Sequence, residues 1–235
     1  MLRYQQAVST DPEPAPLRSV FRDVLDQLRM QIEVMGIRVD ENLERMRRVL
    51  RDGEAHVVDA ALAADDEIDE MHISLLEQCY GVLNREAPMA SDLRFIVSAV
   101  RILGELERIG DLALRGVKLA PRVGRLQATG PAWDIVLTLV DVAVDQYRLA
   151  LRAWSAQDLM LATELATNRP SFGAYHERLI VELQRFSGPD AVAVGMDIYM
   201  AGHAADRIAD HAAIIGARLR YLITGEPAHL AAEVR

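Results

Sequence analysis

Apolar residues in this chain return every three or four positions over long stretches, and they do not alternate. From Leu17 to about Leu50 they fall at Val20/Phe21, Val24/Leu25, Leu28, Ile32, Met35, Val39, Leu43, Met46 and Val49/Leu50. That step is the period of an α-helix with one buried face. A strand would need an alternating run bounded by turn residues, and none is present. The spacing therefore predicts an all-α protein.

Punctuation divides the chain into helices. Asp52-Gly53 ends the first. A second is expected from about Glu54 to Asn84, with Ala61, Ala64, Ile68, Leu75, Cys79 and Val82 as its stripe. Ala87-Pro88 breaks it, and a third runs from Ser91 to about Ala120, stopped by Pro121. Residues 121–131, PRVGRLQATGP, read as a linker. The same plan then recurs, with helices expected at about 132–154, 156–186 and 190–224. Gly225 fits a helix end and Pro227 prevents continuation. Residues 1–16 carry prolines at 12, 14 and 16 and read as a disordered tail, and 226–235 read as a second tail. The organisation is thus six helices in two similar three-helix bundles, 17–120 and 132–225.

The two halves repeat in residues as well as in plan. Glu107-Arg108-Ile109-Gly110-Asp111 answers to Asp206-Arg207-Ile208-Ala209-Asp210, three of five being identical. At this offset of 99, Ile102/Leu106/Ile109/Ala113 match Ala201/Ala205/Ile208/Ala212, one core stripe in each copy. The second stripe is alanine-lined and predicts closer helix approach. His72 aligns with His176 at an offset of 104.

Composition narrows the function. The chain has 235 residues and a formal net charge of −9, which opposes binding to a phosphate backbone, so nucleic acid is not expected. One cysteine, Cys79, excludes an internal disulfide or a multi-cysteine metal site, and its place on a core stripe predicts burial. No apolar window is long enough to cross a membrane, and the N-terminus has no apolar signal-peptide core, so a cytoplasmic protein is expected. Arg45, Arg47, Arg48 and Arg51 read as a solvated basic face. Glycine-rich phosphate loops and HExxH are absent, and only Asp69-x-x-His72 approaches the paired motif of di-iron helical oxidases. No enzyme is expected.

The residues with chemical potential are carboxylates. Glu107 and Asp111 are four apart and share a helix face, as do Asp206 and Asp210. On a helical wheel each pair lies roughly opposite the core stripe. Like charges at that spacing repel by a few tenths of a kcal/mol unless a cation intervenes. One such pair alone reads as a solvated acidic face, but recurrence within a matched pentad points to cation binding. Oxygen ligands without thiols suit Mg²⁺, Mn²⁺, Ca²⁺ or iron, and zinc where histidine joins. His203 lies on the face of Asp206 and Asp210, while Asp65, Asp69 and His72 share one side of the second helix. Asp65 and Asp69 fit an acidic helix start as well as a cation site.

These motifs resemble the PhoU family of phosphate-specific transport regulators. The resemblance covers about residues 17–225. It rests on Ala64-Asp65-Asp66-Glu67-Ile68-Asp69, Pro88-Met89-Ala90-Ser91-Asp92-Leu93-Arg94-Phe95, the two pentads with His211, and Tyr221-Leu222-Ile223-Thr224-Gly225-Glu226. It implies two three-helix bundles related by a pseudo-twofold axis. Its E(D)-x-x-x-D hallmark holds metal clusters in some members, which carries over to Glu107/Asp111 and Asp206/Asp210. It further implies an adaptor, often a homodimer, between the phosphate ABC transporter ATPase PstB and the sensor kinase PhoR. Such an adaptor restrains signalling and uptake when phosphate is plentiful and meets the membrane through its partners only. The alternatives are a helical metal-carboxylate oxidase or iron store, and an accessory subunit of another phosphate permease. The family's asparagine after the motif is Arg115 here in one copy and Ile214 in the other, and the fifth helix lacks the acidic run. Arg115 is expected to bring a cation near Glu107 and Asp111.

Overall fold

The computed structural model describes residues 15–86, 88, 90–167 and 172–234, all helix or short connection, with no strand among them. Helix α1 spans Ala15–Asp52, α2 Val58–Glu86 and α3 Ser91–Val117. A short α4 (Val123–Gln127) leads to α5 (Pro131–Ala156), α6 (Leu159–Thr167), α7 (Phe172–Leu183) and α8 (Ala191–Thr224). The expected all-α class with two three-helix repeats is what forms.

Several boundaries differ from the sequence expectation. Helix α1 already includes Ala15 and Pro16, since proline is tolerated in a first helical turn; the rest of the expected tail, residues 1–14, lies outside the described residues. The linker at 121–131 contains α4, because Val123 and Leu126, three apart, both bury against the core. The expected fifth helix is present as α6 and α7; Arg169 and Pro170 between them lie outside the described residues. The segment after Gly225 is 3₁₀-helical over Pro227–Val234.

Four helices close a ring in which α1 touches α3, α3 touches α8, α8 touches α5 and α5 touches α1. Helix α2 packs outside α1 and α3, and α6 and α7 pack outside α5 and α8. Residues 28 to 50 of α1 show how periodicity becomes packing. Leu28, Ile32, Met35, Val39, Leu43, Met46 and Leu50 are all buried, each worth about 1.5–3 kcal/mol against exposure. The buried side chains of both repeats form one continuous cluster and not one per bundle.

Helices α1 and α5 run antiparallel. The Tyr147 hydroxyl donates to the Gly36 carbonyl at 2.6 Å, and Trp133 Nε1 donates to the Leu50 carbonyl at 3.2 Å. A Cβ on Gly36 would stand 2.8 Å from Leu151 Cδ1, so glycine permits this approach. In the second repeat a Cβ on Gly216 would meet the Ala162 carbonyl at 3.0 Å, while in the first a Cβ on Gly116 would meet Met46 at 2.6 Å, so close approach is not special to the alanine-lined copy. Around this seam Arg47 and Arg51 both reach Asp141, at 3.1 and 2.5 Å, and Arg48 pairs with Glu54. The basic face read as solvated is therefore largely occupied in fastening α1 to its neighbours.

Candidate functional site

Helix α3 touches α1, α8 and α2, so it has no free side opposite its core stripe. This corrects the wheel-based expectation. Glu107 and Asp111 are half-buried and look toward α2, whose Asp65, Asp69 and His72 face them. Helices α2 and α3 meet at Gly110, where even a Cβ would make only ordinary contacts with Ile68 at 3.6 Å and Asp65 at 3.8 Å.

The resulting cluster is strongly acidic. Asp65 is buried, and its pKa rises from 3.8 to about 6. Burial is the main cause, followed by the charges of Asp69 and Asp111, with Lys118 acting the other way. Glu107 is also raised, first by burial and then by Asp111, while His72 opposes the shift. The spacing argument thus locates real neighbours: Asp65, Asp69, Glu107 and Asp111 act on one another. Among the described residues, however, no three His, Cys, Asp or Glu side chains converge within reach of one ion. The donor chemistry fits a hard cation, and the carboxylates must rotate to share one.

The second pentad is arranged differently. It faces α7, where His176 Nε2 stands 3.6 Å from Asp206 Oδ2. His72 and His176, matched in sequence, therefore answer to each other across the repeat, each beside the first carboxylate of its pentad. Asp210 accepts from Arg207 Nη1 at 3.0 Å. His203 is exposed, with its ring stacked on Tyr199 at 6.3 Å and 3°. The sequence placed His203 with Asp206 and Asp210; the structure puts His176 against Asp206.

Arg115 also departs from expectation. The charges that shift Glu107 are Asp111, His72, Asp69 and Arg108, and Arg115 is not among them. It instead lines a groove with Met200, Ala201, His203 and Ala204 of α8. Four residues from Asp111, it shares the helix face, but its long side chain leans to the neighbouring helix.

Sequence reasoning missed a buried polar contact at the α3–α8 crossing. Glu105 and His211 are 1% and 4% exposed, and their Oε2 and Nδ1 atoms are 2.6 Å apart. Arg101 Nη2 adds a second contact to Glu105 at 3.4 Å. Its signal was available: Glu105 sits three residues after Ile102, on the buried stripe. Cys79 is buried as expected, and burial pushes its thiol up to about 11, which leaves it inert at neutral pH.

A ring of four helices flanked by outer helices, with an acidic pentad repeated at matched positions, defines a two-repeat helical class with carboxylate-rich joints. Residues 32–120 match the family model of the PhoU domain. A phosphate-specific transport system accessory protein PhoU homolog of Pseudomonas aeruginosa is 27% identical, over 87% of this chain and 86% of its own. PhoU homolog 2 of Mycobacterium tuberculosis is 23% identical over 89% and 99%. The crystal structure of PhoU from P. aeruginosa superposes with a TM-score of 0.81 at 26% identity, covering 88% of this chain and 100% of that one. PhoU from Streptococcus pneumoniae shares the fold, with a TM-score of 0.76 at 22% identity.

Among the described residues no helix is long and apolar enough to cross a membrane.

Proposed function

We propose that this protein regulates phosphate uptake and phosphate-starvation signalling. It acts as a cytoplasmic adaptor between PstB, the ATPase of the phosphate ABC transporter, and the sensor kinase PhoR, and restrains both when phosphate is plentiful. It works as a homodimer and carries out no catalysis. The observation that supports this reading most is the match to PhoU relatives along nearly their whole length, both repeats included. A protein that shared only one bundle would support a fold analogy and no more.

The carboxylates supply the regulatory chemistry in this reading. Asp65, Asp69, Glu107 and Asp111 would hold one cation between α2 and α3 once their side chains rotate toward it, and Asp206 and Asp210, with His203 or His176, would hold another beside α7. A bound iron, Mn, Mg or Zn ion supplies positive charge that cancels the carboxylate repulsion. Asp65 and Asp69 fix the outer helix to this joint, and Glu107 and Asp111 fix the ring side. Lys118, which lowers the Asp65 pKa, serves as a weaker neutralising charge.

Affinity purification of the full chain from phosphate-replete cells, followed by identification of bound proteins, tests the adaptor role. Recovery of PstB or PhoR is expected. Recovery of neither by a folded bait refutes it, and capture of a different phosphate permease replaces it with the accessory-subunit reading.

A further inference from the structure

We propose that the groove between the end of α3 and the first half of α8 docks an acidic amphipathic helix of a partner protein, whose carboxylate Arg115 receives. This stands on the groove itself and does not depend on the phosphate-transport reading.

The groove has a volume of about 80 Å³ and is floored by Leu112, Gly116, Leu119, Ala201 and Ala204, with Arg115, Met200 and His203 around it. The repeat explains why it is open. The offset of 99 carries Glu105 onto Ala204 and His211 onto Leu112, so this groove is the internal twin of the Glu105–His211 crossing. In the twin a carboxylate fills the space and meets Arg101 and His211. Here alanine leaves the space empty of side chain. Arg115 is exposed and makes no hydrogen bond or ion pair with another described residue. A cation is in place where the matching carboxylate is missing from the chain.

The surface that continues from the groove is apolar. Met200, Met196 and Val192 follow one another at steps of four along α8 and are 49%, 56% and 80% exposed. Three anchors on successive turns are what an amphipathic helix needs opposite it, and methionine adapts to varied anchors. The one acid within this stretch, Asp197, is held by Arg122 at 2.8 Å. A protein of net charge −9 thus presents an apolar face with an unanswered positive end, which selects an acidic helix by charge complementarity. A second copy of this chain fits poorly on the same face, because an isologous contact would bring Arg115 to a groove that has no carboxylate.

A photo-crosslinking residue introduced at Met200, and separately at Met196, in the full chain in its native cells tests this, with the exposed Glu70 on α2 as the control position. Crosslinked peptides are mapped by mass spectrometry. The expected adducts lie in a helix of another protein, with Asp or Glu within one turn of Leu, Ile, Val, Met or Phe. Arg115→Glu should cut their yield at least tenfold at unchanged melting temperature. Ala204→Glu, which restores the carboxylate of the twin crossing beside Arg115, should do the same. Yield no higher than at Glu70, products between two copies of this chain, lipid adducts, non-acidic targets, or yield unaffected by both variants would each overturn the proposal.

Discussion

Asp65 offers the clearest measurement of what the carboxylate cluster costs. Its pKa is 3.8 in an unfolded chain and about 6 in the fold. Between these values the folded state holds more protons than the unfolded state, so stability falls as pH rises through this window and stays lower above it. About two pH units correspond to about 3 kcal/mol if the whole shift is expressed. Asp69 is exposed and salt screens it, which reduces the expected figure to about 1–2 kcal/mol. Asp65→Asn has nearly the same shape and removes the charge. It forfeits no hydrogen bond or ion pair with another described residue. With EDTA present, urea unfolding at pH 7.5 should show the variant about 1–2 kcal/mol more stable than wild type. At pH 4.5 the difference should shrink toward zero, because Asp65 is then largely protonated in the fold. A gain that is equal at both pH values, or a loss at pH 7.5, would refute the electrostatic account of this cluster.

Other expectations can be measured on the same footing. Added Mn²⁺ should raise the melting temperature of the wild type, by linkage of about 2.7 kcal/mol at a hundredfold excess over Kd; Glu107→Gln with Asp111→Asn should lose part of the gain, and adding Asp206→Asn with Asp210→Asn the rest. Equal shifts in wild type and quadruple variant would place the ions elsewhere. Tyr147→Phe leaves the Gly36 carbonyl without its buried donor and should cost about 1–3 kcal/mol in urea unfolding. Gly216→Ala drives a methyl into the Ala162 carbonyl and should cost about 1–3 kcal/mol, whereas Gly124→Ala, with open space around it, should cost nothing measurable.

What could be read from the sequence follows from how local each cause is. The period of Leu28 to Leu50 and the alignment of the two pentads depend only on neighbours along the chain, and both led to the correct class. The facing of Asp65 toward Glu107 was suggested by the shared side of Asp65, Asp69 and His72, but which helix they faced depended on tertiary packing. Three further features turn on tertiary packing, although the place of Glu105 on the buried stripe was itself legible. Glu105 is buried because a histidine from the other repeat, 106 residues away, meets it. Arg115 lines a groove with Ala204 and Met200 of α8, a neighbour that only the fold supplies. The linker folds into α4 because Val123 and Leu126 find core to cover, which no rule about proline and glycine reveals.

The closed ring of α1, α3, α8 and α5 also settles which parts of this molecule can give way. Opening a ring at one seam strains the others, so these four helices behave as a rigid frame. Helices α2 and α7 rest on that frame from outside and act as struts. Each strut carries one side of an acidic joint: Asp65, Asp69 and His72 on α2, and His176 on α7. Whatever neutralises those joints stiffens a strut against its frame, and whatever repels them lets it swing. The two histidines at matched positions make the struts a pair, one acid-rich and one acid-poor, and the same buried cluster anchors both to the frame.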